Sequence, residues 1–165
     1  MTPLEQAIIL WIHLLSAAIW VGGSLFIGIV FSPLLKTMYD SVEERIQIMI
    51  KVGKRFNKIA VPSLIILIST GLYNSHMLLS KPDLLMATSY GHFLVIKIVL
   101  VIALIITYVI HVRVIRKDIE EKIISKQMSL DQVQKLRKKI IILGEITVIL
   151  SVAILFFASL LNAGV

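Results

Sequence analysis

The sequence contains no cysteine, which excludes disulfides, thiolate metal sites and a thiol nucleophile together. Soft-metal chemistry therefore falls to Met and His. There is no GxSxG, no HExxH and no Gly-rich phosphate loop, so the familiar hydrolytic and phosphate-cradling chemistries have no foothold. The N-terminus, MTPLEQ, has no Lys or Arg, and so lacks the positive n-region of a cleaved signal peptide. The first apolar run is expected to stay in the mature protein. Acidic residues are scarce, 10 against 17 basic ones. Charge of either sign is almost missing from four stretches, Ala7 to Leu35, Ile59 to Leu79, His92 to Val112 and Ile140 to Leu161, interrupted only by Lys97 and Glu145.

Apolar residues make up 58% of the 165, and mean hydropathy is +0.93. A transmembrane helix needs roughly 20 mostly apolar residues, and each of the four stretches supplies them. The expected fold class is all-α: a polytopic four-transmembrane-helix bundle with helical cytoplasmic extensions, forming one domain over residues 1–165. The formal net charge of +7 would suit nucleic acid, but its distribution points to a lipid bilayer instead. Every Lys and Arg other than Lys81 and Lys97 lies between Lys36 and Lys58 or between Arg113 and Lys139. By the positive-inside rule these two segments are cytoplasmic, and both termini and the Ser80 to Tyr90 loop face outward across a cell membrane.

Ser41-Val42-Glu43-Glu44 and Ser129-Leu130-Asp131-Gln132 match the capping box that starts helices, and a turn is expected over Lys126 to Ser129. Lys117 and Glu121, Asp118 and Lys122, and Asp131 and Lys135 are spaced i,i+4, which supports helices projecting beyond the bilayer as a hairpin. Pro62 predicts a kink or break in the second span.

Polar residues inside the spans mark the bundle interior. Ser16, Ala17, Trp20, Ser24, Gly28 and Phe31 fall within about 60° of His13 at 100° per residue, so the His13 face turns inward, about 9 Å into the span. Tyr90, Phe93, Leu104, Tyr108 and His111 share a stripe with Lys97, a side chain that costs about 2.5 to 3.5 kcal/mol at a helix centre. Its two readings are an anchor for an anionic group or a proton, and a chain that snorkels outward. In span two, Ser63, Thr70, Asn74 and Met77 share one face, with Ser69, Tyr73 and His76 about 100° around it. In span four, Glu145 heads a stripe with Val152, Phe156, Ser159 and Asn162. It is expected to meet His111, or else Lys58 or Arg113 at the interface.

His13, His76 and His92 are expected near one face of the membrane, and imidazole is the commonest metal ligand among side chains. With Met77 and Met86 they suit copper(I), which favours soft ligands and low coordination. The other reading is noncovalent haem b, with His13 as one axial ligand, His76, His92 or a Met as the other, Lys97 on a propionate, and Trp20, His111 and Glu145 as further cofactor-facing positions.

Phe56-Asn57-Lys58-Ile59-Ala60, then Ser69-Thr70-Gly71-Leu72, then Ala87-Thr88-Ser89-Tyr90-Gly91-His92-Phe93-Leu94-Val95-Ile96-Lys97 resemble the copper-resistance D (CopD) domain. His13-Leu14-Leu15 and Trp20-Val21-Gly22-Gly23 are similar to that family's first span, and the likeness runs from Ile12 to Val114. It implies an inner-membrane protein of copper uptake or tolerance, with a periplasmic or extracellular copper-binding partner; an oligomer is compatible with it. The first span and Lys97 also resemble, more weakly, HemJ-type protoporphyrinogen oxidases, whose bundles bind haem b. An enzymatic role, as a haem-dependent membrane oxidoreductase, is the lesser expectation.

Overall fold

A computed structural model describes residues 2–115, 121–123, 125 and 127–164, except for the side chains of Met77, Pro82 and Leu84. Helices account for nearly all of it, and no strand occurs among the described residues. The helices are α1 (Pro3–Met38), α2 (Val42–Leu79), α3 (Pro82–Ala87), α4 (Ser89–Val114) and α5 (Leu130–Ala163). All but the short α3 are long and apolar enough to cross a membrane. Most of their apolar side chains face outward, among them Ile29, Val99, Ile149 and Phe156, as expected where lipid is the solvent.

Each long helix is started by a local cap. Thr2 and Glu5 form a capping box that the sequence reading did not foresee, whereas Ser129 and Gln132 form the expected one. Ser41 accepts from the Glu44 backbone N–H, and Thr88 caps α4 by accepting from Gly91 at 3.0 Å. All four helices start before the apolar runs anticipated from sequence, and α2 precedes its run by several turns. Asp131 and Lys135 make the expected ion pair at 2.7 Å, an exposed contact worth about 0.3–0.5 kcal/mol. The other two expected pairs involve Lys117 and Asp118, which lie outside the described residues, as does Lys126 in the expected turn.

Pro62 does not break α2, which continues from Val42 to Leu79. Proline lacks an N–H, so the ladder bond to the Lys58 carbonyl is lost, and its ring crowds that carbonyl. The interruption falls instead in α1, which is π-helical over Ala18–Gly22 and Phe26–Phe31, flanking Gly23. Each widened turn shifts the register; Gly28 is exposed, yet a Cβ there would lie 3.9 Å from a Val148 methyl, so it still faces α5.

Packing divides the bundle into two close pairs, α1 on α2 and α4 on α5, joined by contacts of α5 with α1 and α2. Among the described residues the backbones of α2 and α4, like those of α1 and α4, make no such close pair. Trp20, Val21, Ala60, Leu64 and Leu104 form a buried cluster in the apolar part, and Ile46, Ile50, Ile123, Val133, Leu136 and Ile140 form a second where the basic extensions meet. That second core, assembled from three helical segments, holds the extensions together beyond the apolar stretches.

Two glycines set close approaches. The Phe56 ring lies where a Gly23 Cβ would stand, and the Leu85 carbonyl lies where a Gly91 Cβ would stand. A ring can rotate aside, but the backbone of α3 cannot do so without moving the whole connection. Gly91→Ala is therefore expected to lower stability by about 1–3 kcal/mol, measured by thermal unfolding in detergent. Gly53→Ala, where an added methyl meets nothing within 4 Å, is expected not to destabilise.

Candidate functional site

In the gap between α2 and α4 lies a cavity of about 350 Å³ with walls from all four long helices. Its lining is overwhelmingly aliphatic, and His13, Trp20, Ser75, Lys97 and Ser151 supply the polar atoms. This joins His13 and Lys97, as the two stripes led one to expect, with Trp20 beside them.

His13 is half-buried, with its Nδ1 2.6 Å from the Thr70 hydroxyl. The Thr70 hydroxyl also lies 2.6 Å from the Ile66 carbonyl. Donating its proton there, it accepts from Nδ1–H and leaves Nε2 with its lone pair, whereas donating to Nδ1 puts the imidazole proton on Nε2. No protein hydrogen bond occupies Nε2 among the described residues. A second partner that fixes one ring nitrogen and frees the other is the arrangement found behind ligating histidines. Lys97 likewise has no hydrogen bond or ion pair among the described residues, so its ammonium enters an apolar space unneutralised.

Trp20 closes one end of the cavity. Its indole N–H donates to Ser151 at 3.0 Å, and Ser151 donates onward to the Thr147 carbonyl at 2.8 Å. The Tyr108 ring meets Trp20 edge-on at 5.0 Å between centroids, and its hydroxyl donates to Asn57 at 2.9 Å. One indole thus reaches α5 by a hydrogen bond, α4 by ring contact and α2 through Tyr108. Sequence reasoning placed Trp20 and Tyr108 on inward stripes but missed Asn57, Thr147 and Ser151. The signal was present in the small polar residues recurring at helical spacing along α5.

The expected histidine trio is not gathered. His76 is exposed, stacks on Tyr73 at 5.6 Å, and has its Nδ1 2.6 Å from that residue's carbonyl. A neutral imidazole donates there, within its own helix. His92 and Met86 are exposed too, and neither they nor His76 line the cavity; the side chain of Met77 lies outside the described residues. Among the described residues no three His, Cys, Asp or Glu side chains are grouped as a metal ion would require. The expected Glu145 contact with His111 does not form either. Glu145 is exposed and has no hydrogen bond or ion pair with His111, Lys58 or Arg113. His111 instead packs toward Gly144, its Cε1 3.7 Å from where a Cβ would stand. Neither residue lines the cavity. The reason is rotational, since residues at one depth meet only if both helix faces turn to the same seam.

The profile of the family described as copper resistance protein D matches residues 50–161. The chain belongs to the copper resistance protein D family. It is a multi-pass membrane protein, and its family connects it with copper resistance. The match includes Lys97, His76 and His92 but begins after the first span, so the likeness of His13 and Trp20 to that span lies outside it. An uncharacterized protein of Aquifex aeolicus (strain VF5) is 36% identical over 74 residues, which cover 44% of this chain and 50% of that one. The chain thus spans about half the length of this curated relative. No solved structure matches.

Thr70→Val keeps the shape but removes the hydrogen-bond partner of Nδ1. The expected outcome is a change in the His13 imidazole nitrogen NMR shifts, while the helical circular dichroism stays unchanged. Trp20→Phe removes the bond to Ser151 and is expected to lower stability by about 0.5–1.5 kcal/mol, checked by thermal unfolding.

Proposed function

We propose that this protein takes part in copper uptake or tolerance at the cell membrane, as one four-helix unit, with copper as its cargo rather than a resident ion. The observation that carries the reading is the oriented His13 imidazole inside a bundle of the copper resistance protein D family. The cavity offers one imidazole, no thioether among its described side chains, and an ammonium that repels cations. This donor set suits brief contact with copper(I), which favours soft ligands, and not storage of it. His76 and His92 on α2 and α4, with Met86 in the connection between them, would be the first donors at that end of the bundle, and His13 the deepest. Both basic segments contribute to a single crevice, lined by Lys36, Arg45 and Arg137, which supports a cytoplasmic placement for that end and an extracytoplasmic one for the histidines.

A second reading, noncovalent haem b, draws support from the cavity. Its volume is within the range of about 300–1,000 Å³ seen for small-molecule sites, its walls are apolar, and His13 Nε2 and Lys97 are unpaired. His13 would hold the iron and Lys97 a propionate, and the haem would supply one-electron chemistry. His111 and Glu145, away from the cavity, have no part in it.

The visible spectrum of the purified protein, with the copper content of copper-fed cells that produce it, distinguishes the two readings. The expected outcome is a colourless protein that changes the copper content of those cells, an effect mostly lost in a His13→Ala, His92→Ala double variant. A Soret band that vanishes in His13→Ala would replace the copper reading with the haem one.

A further inference from the structure

At the basic end of the bundle a shallow crevice opens where α1, α2 and α5 meet, lined by Ser32, Leu35, Lys36, Arg45, Ile46, Met49, Arg137, Ile140 and Ile141. Three cations from three helices surround it, and no acidic residue lines it. Lys36 lies in the last turn of α1, and Arg137 lies just before Ile140, the first residue of the apolar run of α5. The ring of charge therefore sits where the apolar stretches end.

The three cations are held differently. Arg45 is fixed in place, its Nε donating to the Tyr39 carbonyl at 2.7 Å and its Nη2 to the Asp40 carbonyl at 2.9 Å, where α1 ends. Those two bonds orient the guanidinium without neutralising it, and leave further N–H donors unspent. Lys36, Arg137 and the Ser32 hydroxyl have no hydrogen bond or ion pair among the described residues. Leu35, Ile46 and Ile140 form a buried apolar floor. The crevice is small and open, about 30 Å³, so an anion would rest at its mouth. Below the rim, Leu34 and Ile142 present exposed aliphatic surface toward the middle of the membrane.

We propose that this crevice binds a phosphate anion, specifically the phosphodiester headgroup of an anionic phospholipid. Lys36, Arg45 and Arg137 contact the phosphate oxygens, and the acyl chains run down the apolar faces of α1 and α5. Charge from several helices around a phosphate at the membrane surface is the chemistry by which basic pockets between spans hold anionic lipids. Guanidinium groups add bidentate contacts to phosphate oxygens. The inference is independent of copper or haem, and failure of either of those readings leaves it untouched.

The test uses the full chain in phosphatidylcholine nanodiscs with or without phosphatidylglycerol, reading lipid retention by native mass spectrometry and the unfolding temperature. Phosphatidylglycerol is expected to be retained and to raise the unfolding temperature. Lys36→Gln and Arg137→Gln are each expected to weaken retention about fivefold. Lys138→Gln with Lys139→Gln removes two exposed charges of α5 outside the crevice and is expected to change it little. Equal loss in that control, or undiminished retention in the crevice variants, would overturn the proposal, since the attraction would then be diffuse. An arm with inorganic phosphate in phosphatidylcholine alone distinguishes the sources. A matching rise in unfolding temperature, lost in the crevice variants, would assign the site to soluble phosphate and overturn the lipid assignment.

Discussion

Trp20 is the hub on which the bundle depends. It is 2% exposed, and its indole N–H would be costly in an apolar interior without a partner. Ser151 satisfies it, Tyr108 meets its ring, and Asn57 accepts from Tyr108. Through this chain one side chain of α1 ties all four spans together. Because lipid competes equally for apolar surface, specific polar bonds and close packing carry more of the association here than in a water-soluble core. The indole is bulky as well as polar, and with Tyr108 it spans the gap between α2 and α4. The cavity begins where that wedge stops.

The wedge leads directly to chemistry. A gap lined by aliphatic side chains raises the cost of every polar atom within it, so each one present needs an account. Ser151 and Trp20 satisfy one another. His13 is satisfied on one side only, by Thr70 at Nδ1, and Nε2 has no partner among the described residues. Lys97 is not satisfied at all among the described residues. Side-chain nitrogens without protein partners beside an apolar cavity are what a ligand can answer, and the two functional readings differ in what they ask of His13. At the other end of the bundle the same logic applies to Lys36, Arg45 and Arg137, with water and lipid headgroups as the surroundings.

Much of this was legible before any coordinates. The four apolar runs, the basic connections and the caps at Ser41 and Ser129 follow from local chemistry, and all are found. The pairing of His13 with Lys97 was legible too, because each lies on a stripe of small or polar residues that marks an inward face. How His76 and His92 stand relative to His13 was not legible, because depth along a helix can be counted from sequence while the direction a side chain faces around the bundle cannot. Glu145 and His111 failed for the same reason. Pro62 does not end its helix, which leaves the kink of the two expected outcomes, and the π-turns of α1 left no periodic mark.

The sequence by itself determined the number of spans, the segregation of charge to two segments, and membership in a family connected with copper resistance. Those properties depend on residues near one another along the chain, or on composition summed over a helix length. Tertiary structure alone decided that α2 and α4 make no close pair, that His13 is held by Thr70 while the other two outer histidines face away, and that cations from three helices share one crevice. Such relations depend on how helices are rotated and spaced against one another, and that is set by long-range contacts such as Trp20 with Ser151, between residues 131 positions apart.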